Sequence, residues 1–222
     1  MKFILVRHLK PDMPMQTRYT AREFNDALIQ YNQSGISAYT PAHTGSHNYT
    51  FYCSRAHSSI ETVTALFGNQ NICVTSLLDE VPLTVNENTS GFYSFPTWQR
   101  KAFRQWKKST DYSTETYSQT QKRASQVIEM LEKKGENAVL VSHTFFLSIL
   151  LQLFKRKKYE ITKPHLLSIL YGDRIRVEPK TQRCGGCKHN CALNKPACEI
   201  GRDKALINRI ELTSDTVNQK RF

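Results

Sequence analysis

Apolar positions in this chain fall into short unbroken runs and longer stretches at helical spacing. Phe3–Val6 is a β-prone run without alternation, as in a strand covered on both faces. Ala21–Tyr31 places Phe24, Leu28 and Tyr31 on one helical stripe. Tyr49–Cys53 reads as a second strand. Ser54 then stands where it would cap a helix through Phe67, with Ile60, Val63 and Phe67 at three- and four-residue steps. Ile72–Val74 reads as a third strand. Residues 79–118 are rich in aromatics, Ser, Thr and Asn, and predict one helix followed by polar loop. Thr116–Lys134 carries Ala124, Val127, Ile128 and Leu131 on one stripe, and Gly135 ends it. Ala138–Val141 is the clearest buried strand and Phe145–Phe154 the clearest buried helix, while Ala205–Leu212 is expected to return as a last strand. Strands alternating with helices predict an α/β fold, a mainly parallel sheet flanked by helices.

A length of 222 residues fits a single domain over 1–222 with room for one insertion. Hydrophobic residues at 39 % and charged residues at 23 % exclude a disordered or coiled chain. A formal charge of +12 favours anionic partners, such as phosphorylated metabolites, nucleic acid or an acidic membrane surface. The apolar run before Arg7 is only four residues long, Phe3–Val6, too short for a signal-peptide core, so a cytoplasmic location is expected. Ala138–Phe154 is interrupted by Ser142, His143, Thr144, Ser148 and Gln152, which argues against a membrane span.

Six cysteines in a reducing compartment argue against a disulfide framework. Cys184, Cys187, Cys191 and Cys198 crowd into one stretch with spacing C-x2-C-x3-C-x6-C. Four thiolates so placed satisfy a structural Zn²⁺ or an iron–sulfur cluster, with His189 as a spare ligand; redox-active or unliganded thiols are the other reading. The stretch 180–203 is expected to be a cysteine-rich insertion within the domain.

In open parallel sheets, ligands sit beyond the carboxyl ends of the strands, where loops and helix N-termini converge. Arg7 and His8 follow the first strand, and Ser54, Arg55 and His57 the second. Asp79 and Glu80 follow the third, and Ser142 and His143 the strand at 138–141. Two histidines, arginines and a carboxylate at one edge suit phosphoryl chemistry. They offer a nucleophile, guanidiniums for phosphate oxygens and an acid for the leaving oxygen. His57 reads as a helix-start residue rather than a catalyst.

Val6-Arg7-His8 behind an initial strand resembles the Arg-His-Gly signature of the histidine phosphatase superfamily, also called phosphoglycerate mutase-like. Cys53-Ser-Arg-Ala-His-Ser-Ser-Ile-Glu-Thr-Val63 resembles that family's Ser-Pro-Leu-x-Arg-Ala-x-x-Thr-Ala turn and helix. Leu77-Leu-Asp-Glu80 resembles its Leu-x-Glu segment, and Val139-Leu-Val-Ser-His143 its Val-x-Ser-His-Gly segment. These motifs occur in the family's order and frame roughly residues 1–155. The resemblance implies a phosphatase of small phosphorylated substrates in which His8 becomes a phosphohistidine. It further implies that Arg7 binds the phosphoryl oxygens, His143 stabilises their charge and Glu80 protonates the leaving oxygen. No metal is implied for catalysis.

The chain departs from the pattern at three places. Leu9 and Thr144 replace the glycines that follow the two histidines, which reshapes a pocket where backbone otherwise approaches without a Cβ. Aligning Ser54 and Thr62 puts Ser58 at the second arginine position, whereas aligning the Arg-Ala pair uses Arg55, the residue favoured here. Asp79 and Glu87 are the alternatives to Glu80. The missing glycines make phosphoglycerate mutase activity the lesser expectation. They also motivate the competing class, a catalytically degraded scaffold that binds a phosphorylated ligand or nucleic acid. Lys155–Lys158 and the cluster at 100–108 are the basic patches such a role would use; otherwise they are solvated surface. Phe92, Tyr93, Phe95, Trp98 and Trp106 stand where the family often covers its substrate, and read equally well as core.

Overall fold

The computed structural model describes residues 1–39, 48–109, 114–162, 169–180, 184, 191–193 and 195–207. The chain forms two compact units, Met1–Glu178 and Pro179–Phe222.

The first unit is built on a six-stranded sheet. Its strands are β1 (Phe3–Arg7), β2 (Thr50–Cys53), β3 (Ile72–Val74), β4 (Ala138–Ser142), β5 (Tyr159–Thr162) and β6 (Arg174–Pro179). Their spatial order is β3-β2-β4-β1-β6-β5. The β1–β4, β2–β3 and β2–β4 pairs are parallel, whereas β6 lies antiparallel to β1. The mainly parallel α/β sheet is therefore present, with an antiparallel addition that the sequence reading omitted. Arg174–Glu178 does alternate polar and apolar residues, and Ile175 and Val177 are the buried pair.

All five residues of β4 are buried: it is a central strand, paired on both edges and covered on both faces. The helices are α1 (Ala21–Gln33), α2 (His57–Phe67), α3 (Phe95–Lys108), α4 (Tyr117–Lys134) and α5 (Thr144–Arg156). Val127, Ile128, Phe146, Leu150 and Phe154 of α4 and α5 pack with Phe3, Leu5 and Leu140 of the sheet. A second cluster joins Val63, Leu66 and Phe67 of α2 to Val6, Phe51 and Val141. A third is largely aromatic: Tyr19, Phe24, Tyr31, Phe95 and Trp98 gather where α1 meets α3, and the Trp98 indole N–H donates to the Tyr19 carbonyl at 2.7 Å. Of the aromatics in question, Phe95, Trp98 and Trp106 are thus core, while Phe92 is exposed.

Local chemistry explains the helix ends. Thr20 with Glu23, and Thr116 with Gln119, form capping boxes at the starts of α1 and α4. Gly135 closes α4 in the left-handed region at φ 68°. Ser54 does not cap α2, whose N-cap is Ala56 without a side-chain bond; its hydroxyl is drawn into the site described below. Among the described residues, no helix is long and apolar enough to cross a membrane.

In the second unit, α6 runs Glu199–Ile207. It takes up Ala205–Ile207, where a returning strand was expected; positions 208–212 lie outside the described residues. Cys184, Leu193 and Ala205 are buried together, and the Cys184 N–H donates to the Cys191 carbonyl at 2.8 Å. Cys187 and His189 lie outside the described residues. Among the described residues, no three His, Cys, Asp or Glu side chains are grouped to hold a metal ion.

Candidate active site

Three adjacent strands fix the centre of the site. In the parallel β1–β4 register Arg7 faces Ser142, so His8 and His143 leave neighbouring strand ends side by side. The His8 N–H donates to the Ser142 carbonyl at 3.0 Å, and the Ser54 N–H to the Val141 carbonyl at 3.1 Å. Strand pairing therefore brings residues 8, 54 and 143 together. The two imidazoles are buried with ring centroids 4.8 Å apart.

Ser54 Oγ lies 2.8 Å from Nε2 of His143 and donates to Ser59 Oγ at 2.8 Å. His8 Nδ1 lies 2.7 Å from the Leu9 carbonyl, which can only accept, so Nδ1 carries the proton. Nε2 is left with its lone pair, and the Tyr31 hydroxyl stands 3.5 Å from it. That hydroxyl shares a 2.9 Å hydrogen bond with Tyr171. Burial, helped by the His143 and Arg7 charges, holds the His8 pKa well below the ordinary imidazole value. Burial, with Arg7 and Arg123, lowers that of His143 to about 3.

Arg7 links these groups. Its guanidinium lies flat on the Tyr171 ring at 3.6 Å, and Nη1 donates to the Ile169 carbonyl at 2.8 Å. Among the described residues its buried Nε–H has no hydrogen-bond partner. A charged donor left so is costly, and an anion beside His8 would satisfy it.

Glu80 reaches the same place from the loop after the 3-10 turn Ser76–Leu78. His143 is the N-cap of α5 and offers no side-chain cap. Glu80 supplies one: Oε1 accepts from the N–H groups of Phe146 (2.8 Å) and Val81 (3.0 Å), and Oε2 accepts from that of Phe145 at 3.2 Å. Burial raises the Glu80 pKa against the pull of those hydrogen bonds and of Arg7. Oε2, with its single longer bond, has the freer capacity to carry a proton.

Arg55 stands apart. It is exposed, and its guanidinium pairs with Asp79 at 2.6 Å (Nη2) and 2.7 Å (Nε). His57 starts α2 and pairs with Glu61. Ser58, at the other candidate position, is buried and accepts at its carbonyl from the Thr62 hydroxyl, which in turn accepts from the Leu9 N–H. The structure thus brings Arg7, His8, Glu80 and His143 together and leaves Arg55 outside.

Beyond Arg7 the site opens into a cavity of about 820 Å³, whose lining includes Lys10, Arg100, Phe103, Thr144, Phe145 and Tyr171. Tyr31, Tyr171, Lys10 and Arg123 were missed by sequence reasoning. Tyr31 had a signal only as a helix-stripe residue, and Tyr171 sits in the turn before the omitted strand β6.

Arg123 acts on the acid at one remove. Nη1 donates to the carbonyls of Leu77 (3.0 Å) and Asp79 (2.9 Å), while Nε and Nη2 hold Glu115 at 2.7 and 2.9 Å. Its guanidinium also covers the Phe146 ring at 4.4 Å. On this geometry it is a positioning residue for Glu80. Arg123→Met is expected to cost about 2–4 kcal/mol in urea unfolding, as for a largely buried hydrogen-bonded charge. It should also slow substrates that need an acid more than those that do not. A stability loss with no change in that ratio would make its role structural only.

The neutral histidines set a pH dependence. Between about 6.5, where an unfolded imidazole titrates, and about 3, where His143 does, the unfolded chain binds more protons than the folded one. Stability is therefore complete above that window and falls with falling pH, by roughly 1.4 kcal/mol per pH unit for His143, and His8, also held below its ordinary value, adds a loss of the same sign. Urea midpoints across the window check this, and His143→Asn should flatten the slope.

Among known proteins, the family model described as histidine phosphatase superfamily (branch 1) matches residues 3–185. No curated protein sequence matches significantly. Among solved structures, the chain is similar to a mycobacterial glucosyl-3-phosphoglycerate phosphatase, with 13 % identity over 80 % of this chain and 97 % of that one and a TM-score of 0.44. It is also similar to a phosphoserine phosphatase from Entamoeba histolytica (14 %, 70 % and 80 %, TM-score 0.43). A third is the alpha-ribazole phosphatase from Shigella flexneri (17 %, 69 % and 79 %, TM-score 0.42).

Proposed function

The chain belongs to the histidine phosphatase superfamily, and from that premise we propose that it hydrolyses phosphate monoesters through a phosphohistidine on His8. The observation that carries this reading is the His8 ring itself, anchored at Nδ1 by the Leu9 carbonyl, with an Nε2 lone pair that meets the Tyr31 hydroxyl only at 3.5 Å and stands beside Arg7 and His143.

In the first half-reaction Nε2 of His8 forms a bond to phosphorus as the bond to the leaving oxygen breaks. Glu80 gives its proton to that oxygen, and an alcohol departs. Arg7 takes the phosphoryl oxygens on Nε–H, and the His143 imidazole, oriented by Ser54, stands beside the charge that builds on them. In the second half-reaction water attacks phosphorus, Glu80 takes the water's proton, and inorganic phosphate leaves with His8 restored. Lys10 and Arg100 at the cavity supply positive charge that draws a dianion inward.

Radiolabelled aryl phosphate, mixed with the protein in excess chelator and quenched in alkali, tests the reading. The expected result is an acid-labile, alkali-stable phosphoprotein whose label maps to the peptide containing His8. Label on another residue, or turnover with no covalent species, would sink it.

The competing class, a binding scaffold, draws on Leu9 and on the exposed Arg55. It expects tight phosphate-ester binding with neither label nor product.

A further inference from the structure

We propose that the alcohol released at this site is bulky, flat and largely apolar, an aryl-bearing alcohol seated against the Phe103–Phe145 pair. This rests on the phosphatase reading and names its substrate class.

The cavity adjoining Arg7 encloses about 820 Å³, within the range of pockets that hold drug-sized ligands. A phosphoryl group occupies only its inner end, so the rest is space for the leaving group. Phe103 of α3 and Phe145 of α5 form one wall. Their rings stack at 4.5 Å with an interplanar angle of 19°, and both are only partly buried, so the stacked pair presents apolar surface to the cavity. Ile169, Leu170, Phe95 and Met15 extend the apolar lining, and Leu170 and Met15 are 47 % and 39 % exposed. An aryl group seated there removes this surface from water and stacks on a ring already oriented by its neighbour. A polyol or amino acid in the same place would surrender water hydrogen bonds against carbon.

Position adds to composition. The Phe145 backbone N–H donates to Oε2 of Glu80. The residue that would touch the departing group therefore also holds the oxygen that would protonate it, so the wall sets the ester oxygen's place relative to its acid.

The test uses esters of alkyl alcohols of similar intrinsic reactivity, naphthylethyl phosphate against ethyl phosphate and glycerol phosphate. It adds a turnover-independent arm, calorimetric binding of naphthylmethyl phosphonate against methyl phosphonate. Each apolar group accommodated in a pocket gives roughly ten- to two-hundredfold, so kcat/KM should favour the naphthyl ester at least about a hundredfold. Phe103→Ala should cut that ratio about tenfold, and Phe103→Tyr should retain it. Equal kcat/KM for all three esters overturns the substrate class and leaves the phosphatase reading standing. Tighter naphthyl phosphonate binding with no turnover of any ester supports the pocket and removes the phosphatase reading. A naphthyl preference unchanged in Phe103→Ala, or phosphonates that bind alike, overturns the proposal.

Discussion

Arg7→Ala is expected to lower kcat/KM for any phosphate ester by about a thousandfold, since losing one donor to a transition-state oxyanion already costs roughly 10²–10³. Arg7 is the guanidinium at His8, because Arg55 is committed to Asp79 and faces solvent. Its guanidinium lines the cavity and is the group that a phosphoryl oxygen would take. Lysine should not restore activity: an ammonium can neither lie flat on Tyr171 nor offer a forked set of N–H groups. The same substitution carries a second signature. Arg7 is among the causes that depress both histidines, so its removal should raise their pKa values, which histidine NMR titration reads directly. An activity loss under tenfold would mean that another cation, Lys10 or Arg100, holds the phosphate.

Glu80→Gln separates the acid from the nucleophile. General acid catalysis contributes about 10²–10⁴, so turnover of an alkyl phosphate should fall by that range. Formation of the phosphoenzyme from a nitrophenyl ester, whose oxygen leaves without a proton, should be slowed little when read as the nitrophenol burst. The later attack of water loses its base with either ester. The wild-type profile has a matching sign. The proton donor must be protonated, so alkyl phosphate turnover is lost as pH rises through the raised Glu80 pKa. His8, already neutral, imposes no loss on the acid side until far lower pH. Equal slowing of phosphoenzyme formation from both esters in the variant would assign Glu80 a role in holding α5 rather than in protonating the leaving oxygen.

Much of this site was legible because strand ends in a parallel sheet collect chemistry at one edge. Arg7 ends β1, and His8, Glu80 and His143 follow a strand or its adjoining turn, so position gathered them with their neighbours and the family resemblance singled them out. Arg55 was legible as an arginine but not as a surface one: the side chain's direction depends on Asp79, twenty-four residues on, and no local pattern encodes that pairing. Ser54 was misread as a cap because Ser before a helical stripe usually is one, whereas here a buried imidazole competes for its hydroxyl. Strand β6 escaped because its apolar residues are two among charged neighbours, and its partner β1 lies some 170 positions back. The 820 Å³ cavity draws on the end of β1 and the stretch after it, on α3, on α5 and on the loop at 169–171 together, a convergence that only tertiary packing creates.

The strand order has a consequence for how the protein comes into being. Strand β4 lies between β2 and β1, yet it is made after both. On a ribosome, a nascent chain that has emerged only as far as residue 137 holds His8 and Ser54 at the ends of two strands with no partner between them. The Ser142 carbonyl that receives the His8 N–H, and the His143 ring beside it, arrive when Ala138–His143 slots into that gap. Closing contacts across such separations is slow. The site is therefore among the last features to assemble, and a chain stalled before residue 138 lacks the strand that brings His8, Ser54 and His143 together.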